Sequence, residues 1–199
     1  ADWIFWMDDD TAPPLNAITG LLHSGHDFVA GAYFMTAEPY HPIAYRKMPD
    51  NGLYAPIYNY PDGALMQVDS VGFGCTLVHR SVYEKIRDAH TVFERHNGAL
   101  LVVPNDMVTG NVGDDYFEPY VKDGVYYEHI KAKSEDDDRQ FPFYQLEHGR
   151  TEDHYFCELA AHVGVKPWLD TTVVCTHYKT MPTTKDNYTE FLLKETGLA

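Results

Sequence analysis

Cysteine is scarce in this chain of 199 residues. Cys75, Cys157 and Cys175 are few, odd in number and widely spaced, which excludes a disulfide framework and a cysteine-rich zinc site. Basic residues are scarce as well. Fifteen Lys and Arg stand against thirty Asp and Glu, a formal net charge of −15, and a field of that sign repels nucleic-acid phosphate and anionic membrane surfaces. No nucleic-acid partner is expected, and an anionic ligand would need a cation to mask the carboxylates. No apolar run approaches the length that spans a bilayer, and the opening residues carry neither the basic stretch nor the small-residue cleavage site of a signal peptide. With so little cysteine, a reducing, cytoplasmic setting is expected. What the chain does have is apolar material, 44% hydrophobic and 14% aromatic, enough for one globular domain with a substantial core.

One apolar run stands at the very start. Trp3, Ile4, Phe5, Trp6 and Met7 predict a strand buried on both faces, and Asp8, Asp9 and Asp10 follow where it must end. The carboxyl edge of an open α/β sheet is where ligands bind, and carboxylates clustered there need a metal ion or protons to relieve their repulsion. Oxygen-only clusters favour magnesium, manganese or calcium. A solvated acidic turn is the plain alternative for three aspartates on their own. A buried strand also needs neighbours, from later segments or from residues beyond this sequence.

Further along, residues 15–23 have helical spacing, with Leu15, Ile18, Leu21 and Leu22 on one side and Gly25 as the stop. Residues 28–35 read as a second buried strand and residues 39–50 as a loop. Residues 54–60 and 64–69 read as the arms of a hairpin turned at Asp62-Gly63. Gly72 and Gly74 interrupt the strand-like run 68–80, which marks a bend or the close approach of another backbone or a ligand. Ser81 is expected to cap a helix reaching residue 94, with Val82, Ile86, Ala89 and Phe93 inward. Residues 100–104 read as a short buried strand. Residues 105–149 form a long acidic and aromatic loop region, whose rings either stack on a sugar or, the preferred reading, close over the core.

The last part has sharper punctuation. Thr151 is expected to cap a helix opened by Glu152 and Asp153 and stopped by Gly164. The helix dipole alone accounts for both acids, yet an ionised Asp153 in the first turn can also accept a proton from a bound hydroxyl. Two extended segments follow, 165–170 and 172–178. His177 ends the second of them, where a lone His more readily serves a hydrogen-bonded structural role than ligation. Residues 185–195 close the chain as an amphipathic helix with Tyr188, Phe191 and Leu192 inward.

Taken in order, these pieces resemble a known family. A strand ending in Asp8-Asp9-Asp10, a glycine-bent segment before a helix, Thr151-Glu152-Asp153-His154-Tyr155-Phe156-Cys157, then Lys166-Pro167-Trp168-Leu169-Asp170 and His177 resemble the GT-A glycosyltransferases, in particular the inverting family 2 type. The match in order runs from Trp3 to about His177. The resemblance implies an α/β fold of the GT-A, Rossmann-like type, a mixed sheet flanked by helices. Residues 1–199 would form a single domain, incomplete at its N-terminus because the base-binding strands that precede the Asp-x-Asp strand in the family are missing here.

The same resemblance implies the roles of residues. Asp10 and His177 would hold Mn2+ or Mg2+ against a nucleotide diphosphate. Asp8 would lie at the donor ribose, with Asp9, Gly72, Gly74 and Cys75 on the donor side. Asp153 would be the general base on an acceptor hydroxyl, and Glu152 and Arg150 would lie on the acceptor side. The implied reaction moves a sugar from a nucleotide-diphosphate donor to a glycan or other hydroxyl with inversion. Two readings compete with it: a non-catalytic carbohydrate- or partner-binding module on a decayed transferase fold, and a metal-dependent phosphoesterase. An open sheet edge would also favour a homo-oligomer.

Overall fold

The structure, a computed structural model, describes residues 1–94, 99–107, 120–122, 125–127, 131–132, 141–146 and 150–178. The first half contains β1 (Trp3–Met7), β2 (Thr11–Ala12), α1 (Ala17–His23), β3 (Phe28–Ala32), β4 (Ala44–Lys47), β5 (Tyr54–Pro56), β6 (Leu65–Gln67), β7 (Ser70–Val71), β8 (Cys75–His79) and α2 (Arg80–Ala89). The second contains β9 (His90–Glu94), β10 (Leu100–Pro104), β11 (Tyr120–Lys122), β12 (Val125–Tyr127), β13 (Lys131–Ala132), α3 (Glu152–His162), β14 (Trp168–Val174) and β15 (Thr176–His177). Five strands form the main sheet in the order β1-β8-β3-β14-β6. Only β3 and β14 are parallel neighbours within it; the other pairs are antiparallel. The chain is therefore α/β with a mixed sheet.

Side chains alternate along a strand, so one strand can feed two cores. Phe28, Ala30 and Ala32 of β3 join Val78, Val82, Ile86 and Phe156 on the face covered by α2 and α3. Val29 of the same strand and Tyr33 just beyond it join Ala17, Leu21, Leu77 and Val173 on the face covered by α1. The sheet is thereby clad on both sides.

β1 departs from expectation. Among the described residues it is an edge strand paired with β8 alone, not a central one. Trp6 meets one core and Trp3 and Phe5 the other, but the open side leaves Ile4 38% and Met7 55% exposed. α1 departs too. It buries Ala17 and Leu21, while Leu15, Ile18 and Leu22 are exposed. Small residues take the inner face because the helix lies close on the sheet: a Cβ on Gly20 would stand 2.9 Å from Val173 Cγ2.

The expected hairpin at Asp62-Gly63 does not form. Gly63 has the positive φ of a turn, 67°, but its arms leave for different sheets, β5 to β4 and β6 to β14. The hairpin that forms is β4–β5, turned through Asn51-Gly52 with Gly52 at φ 70°, so residues 39–50 are partly strand rather than loop. A turn signal reverses the chain; the sheet partner is chosen by distant residues.

α2 is shorter than expected, because residues 90–94 form β9 against β10 and bury Phe93 from a strand. Its cap is His79, whose Nδ1 accepts the Ser81 N–H at 3.2 Å. Residues 165–178 hold one long strand, β14, and the short β15 in place of two equal segments. α3 is bounded as expected, although Thr151 caps it without a side-chain hydrogen bond. It stops at Gly164, φ 77°, where the Val165 N–H reaches Ala160 O at 2.9 Å and the Gly164 N–H reaches Ala161 O at 3.0 Å.

Of the long acidic region, Phe141, Phe143 and Tyr144 close over the core, where Tyr144 stacks on Phe156 at 5.1 Å. Its acidic runs at 114–115 and 136–138 lie outside the described residues, as does the helix expected at 185–195. The three cysteines are buried and free. Among the described residues no helix is long and apolar enough to cross a membrane.

Candidate functional site

The three aspartates make a tight turn at the end of β1. The Thr11 N–H closes on Asp8 O at 3.3 Å, and the chain enters β2, which pairs antiparallel with β15. Thr11 lies opposite His177 in that ladder, and the Tyr178 N–H donates to Asp10 O at 2.8 Å. A two-stranded ribbon thus ties the acidic turn to a histidine from the far end of the described chain.

His177 is oriented from behind. A carbonyl only accepts, so Nδ1–H donates to Phe34 O at 2.6 Å, and the Tyr33 ring meets the imidazole edge-on at 5.5 Å. Nε2 then faces Asp10 Oδ2, 3.3 Å away, where a proton on the ring or a cation between the two atoms joins them. The donor set fits a divalent ion: an imidazole with its other nitrogen on a backbone carbonyl, beside a carboxylate. Two ligand atoms each roughly 2.1 Å from one ion and at right angles would be about 3 Å apart. Thr11, across the ladder from His177, also keeps a buried hydroxyl without a partner among the described residues. Among the described residues no group of three or more His, Cys, Asp or Glu side chains could hold a metal ion.

Asp8 stands at the rim, exposed, with Asp9 exposed beside it. Partial desolvation, then the charge of Asp10, raise the Asp8 carboxyl above the usual range; Asp9 and Glu152 add to this and His177 opposes it. Below lies the glycine-bent segment. The Gly74 N–H donates to the Tyr33 hydroxyl at 3.0 Å, and a Cβ on Gly74 would stand 2.8 Å from the Tyr33 ring and 2.9 Å from Asp8 Oδ2. A Cβ on Gly72 would strike the Tyr33 hydroxyl and come 2.7 Å from Ile43. Both glycines are small because Tyr33 fills the space. Burial pushes the Tyr33 phenol well up, so the hydroxyl that accepts from Gly74 stays neutral.

Asp153, in the first turn of α3, is the most perturbed carboxyl of the set. Burial, then the charges of Glu152 and Asp8, push it up to about 7, against a backbone hydrogen bond from Phe73. Glu152 is exposed beside it. A carboxylate titrating near neutrality is suited to take and release a proton.

The structure therefore brings Asp8, Asp10, His177, Glu152 and Asp153 into one electrostatic neighbourhood, with Gly72 and Gly74 beneath. Two expected residues lie elsewhere. Cys75 is fully buried in the core under α1, facing Gly31 and Cys175, so it lines no cleft. Arg150 is drawn onto Glu158, which also accepts from Lys47. Sequence reasoning missed Tyr33 and the Phe34 carbonyl, which sit inside an apolar run. It also missed Tyr45, which Asp153 and burial together raise, and His154, which meets Tyr45 edge-on at 4.8 Å. Only the paired glycines hinted that a bulky ring must lie against them.

Among solved structures, the crystal structure of A197 from STIV is similar to 90% of this chain and 59% of its own, with 13% sequence identity and a TM-score of 0.44. This chain thus spans about three fifths of the length of that protein. No protein-family model and no curated protein matches the sequence.

Proposed function

We propose that this chain is a metal-dependent, inverting glycosyltransferase of the GT-A type, moving a sugar from a nucleotide diphosphate to an acceptor hydroxyl. The observation that carries the reading is the Asp10–His177 pair, an imidazole nitrogen 3.3 Å from a carboxylate oxygen, within the same field as a carboxyl raised to about 7. One half suits a cation, the other a proton transfer.

Asp10 and His177 would hold Mn2+ or Mg2+, whose positive charge offsets that of a departing diphosphate. Asp8 lies on the donor side, backed by Gly74 and Tyr33. Asp153 takes the proton of the acceptor hydroxyl as that oxygen bonds to the anomeric carbon and the bond to the diphosphate breaks. Attack from the face opposite the leaving group inverts the configuration. Partial burial of Asp153 keeps its proton affinity matched to this task at neutral pH.

The test is thermal unfolding of the chain with manganese and a panel of nucleoside diphosphates, singly and together, beside Asp10→Ala and His177→Ala. A ligand that binds only the folded state raises its stability. One nucleotide should stabilise the protein only with metal, and neither variant should respond. Glycan binding that needs no metal and survives both substitutions would instead favour the non-catalytic module.

A further inference from the structure

Away from the acidic turn lie the basic side chains. Seven Lys and Arg have described side chains: Arg80, Lys85 and Arg87 lie on α2, and the other four, Arg46, Lys47, Arg150 and Lys166, gather around one cleft. The cleft, of about 540 Å³, opens between the β4–β5 hairpin and the C-terminal half of α3. Lys47 and Lys166 line it together with Asp69 and Glu158, and Met48, Pro49, Tyr54 and Ala161 add apolar surface.

These cations outnumber their partners. Lys47 Nζ donates to Glu158 at 2.8 Å, and Arg150 shares the same carboxylate. Lys166 Nζ reaches Asp69 at 2.7 Å, and the Lys47 N–H takes the other oxygen of Asp69 at 2.9 Å. Burial opposes it, yet the hydrogen bonds from Lys166 and Lys47 and the charges of Lys166 and Arg46 hold Asp69 below the usual carboxylate range. Of the other acids nearby, Asp106 is 3.5 Å from His162 and Asp50 is exposed in the hairpin beside Pro49. Each lysine is nearly half exposed, with Nζ protons left for an incoming acceptor. In a chain of net charge −15 this is where described cations cluster.

We infer that this cleft binds a sugar carrying an oxyanion, a carboxylate or phosphate, through Lys47 and Lys166. The apolar lining of Met48, Pro49 and Ala161 takes the ring, and the lysines take the charge. The cleft is joined to the proposed base by one layer of rings: Tyr45, which feels Asp153, meets His154, and His154 stacks on Tyr54 at 4.4 Å. With a rise of about 1.5 Å per helical residue, Ala161 lies about 12 Å along α3 from Asp153. An extended acceptor could present a hydroxyl to Asp153 while an acidic sugar further along occupies the cleft. Binding of the anion stands apart from the transferase reading; its assignment to the acceptor rests on it.

The test is calorimetric titration of the whole chain, without metal or nucleotide, with glucuronate, glucose 6-phosphate, inorganic phosphate and glucose. At least one acidic sugar should bind, glucose and inorganic phosphate markedly less, and the better of the two acids identifies the oxyanion. Lys47→Gln with Lys166→Gln should weaken that binding about tenfold or more, the scale of a charged hydrogen bond. Glu158→Gln, which frees Lys47 and Arg150, should strengthen it. Acidic sugars that bind no better than glucose, phosphate that binds as well as the phosphosugar, or binding unchanged in the double variant overturns the inference. The same samples given manganese and nucleoside diphosphate separate the two readings, since the lysine variants leave the Asp10–His177 pair intact. Loss of that response in the native chain would sink the transferase reading and leave the acidic-sugar site standing.

Discussion

Asp153 is the residue whose chemistry and stability pull in opposite directions. Its folded pKa, about 7, lies above the ordinary 3.8, so below pH 3.8 both folded and unfolded chains hold the proton and nothing is lost. As pH rises from about 4 to 7 the unfolded chain ionises first, stability falls, and above 7 the full penalty is present. Asp153→Asn removes a penalty of order 2 kcal/mol after discounting for partial exposure. Its unfolding midpoint at pH 8 should rise by a few degrees while the proposed transfer is abolished, and its midpoint should vary less with pH than the native one. Gly74→Ala tests the other side of the site. Its Cβ would press on Tyr33 and Asp8, so the metal-dependent nucleotide response should shrink more than the midpoint without ligand. A drop in both by the same proportion would mean that Gly74 serves packing alone.

At the scale of elements, what could be read in advance was what is local. β1, β3 and α3 announce themselves through apolar runs or caps, and Gly164 marks an end that its φ of 77° confirms. Gly164→Ala places a Cβ on a left-handed residue and should cost about 1 kcal/mol, read as a lower denaturation midpoint with an unchanged slope. Pairing was not legible. Asp62-Gly63 and Asn51-Gly52 are equivalent turn signals, yet only the second joins paired strands, because β6 is claimed by β14 from a hundred residues downstream. The inner face of α1 was misread for a related reason: hydrophobicity favours Leu15 and Ile18, but the close approach of Val173 favours Gly20 and Ala17. Of the candidate site, the charged residues were visible in their motifs. The groups that orient them were not, since Tyr33 and the Phe34 carbonyl differ in no local respect from core.

For the whole molecule the governing quantity is charge, −15 over 199 residues. Self-repulsion of that size should make the chain more stable in salt. The unfolding midpoint should rise between about 10 mM and 150 mM NaCl, as the screening length shortens from about 30 to 8 Å. A midpoint indifferent to salt would mean that the excess acid lies where its charges do not meet.

The ribbon of β2 and β15 gives the site a place in the economy of folding. It joins residues 11 and 177, so nearly all of the described fold lies inside the loop that it closes. Such closures are entropically unfavourable and are drawn on late in assembly. An ion gripped by Asp10 and His177 would act as a clasp on that loop, turning ligand affinity directly into closure. Amide exchange at Tyr178, whose N–H rests on Asp10 O, is where the clasp can be watched: bound ligand should slow it far more than it slows amides of β3, which are held by the core whether the clasp is shut or open.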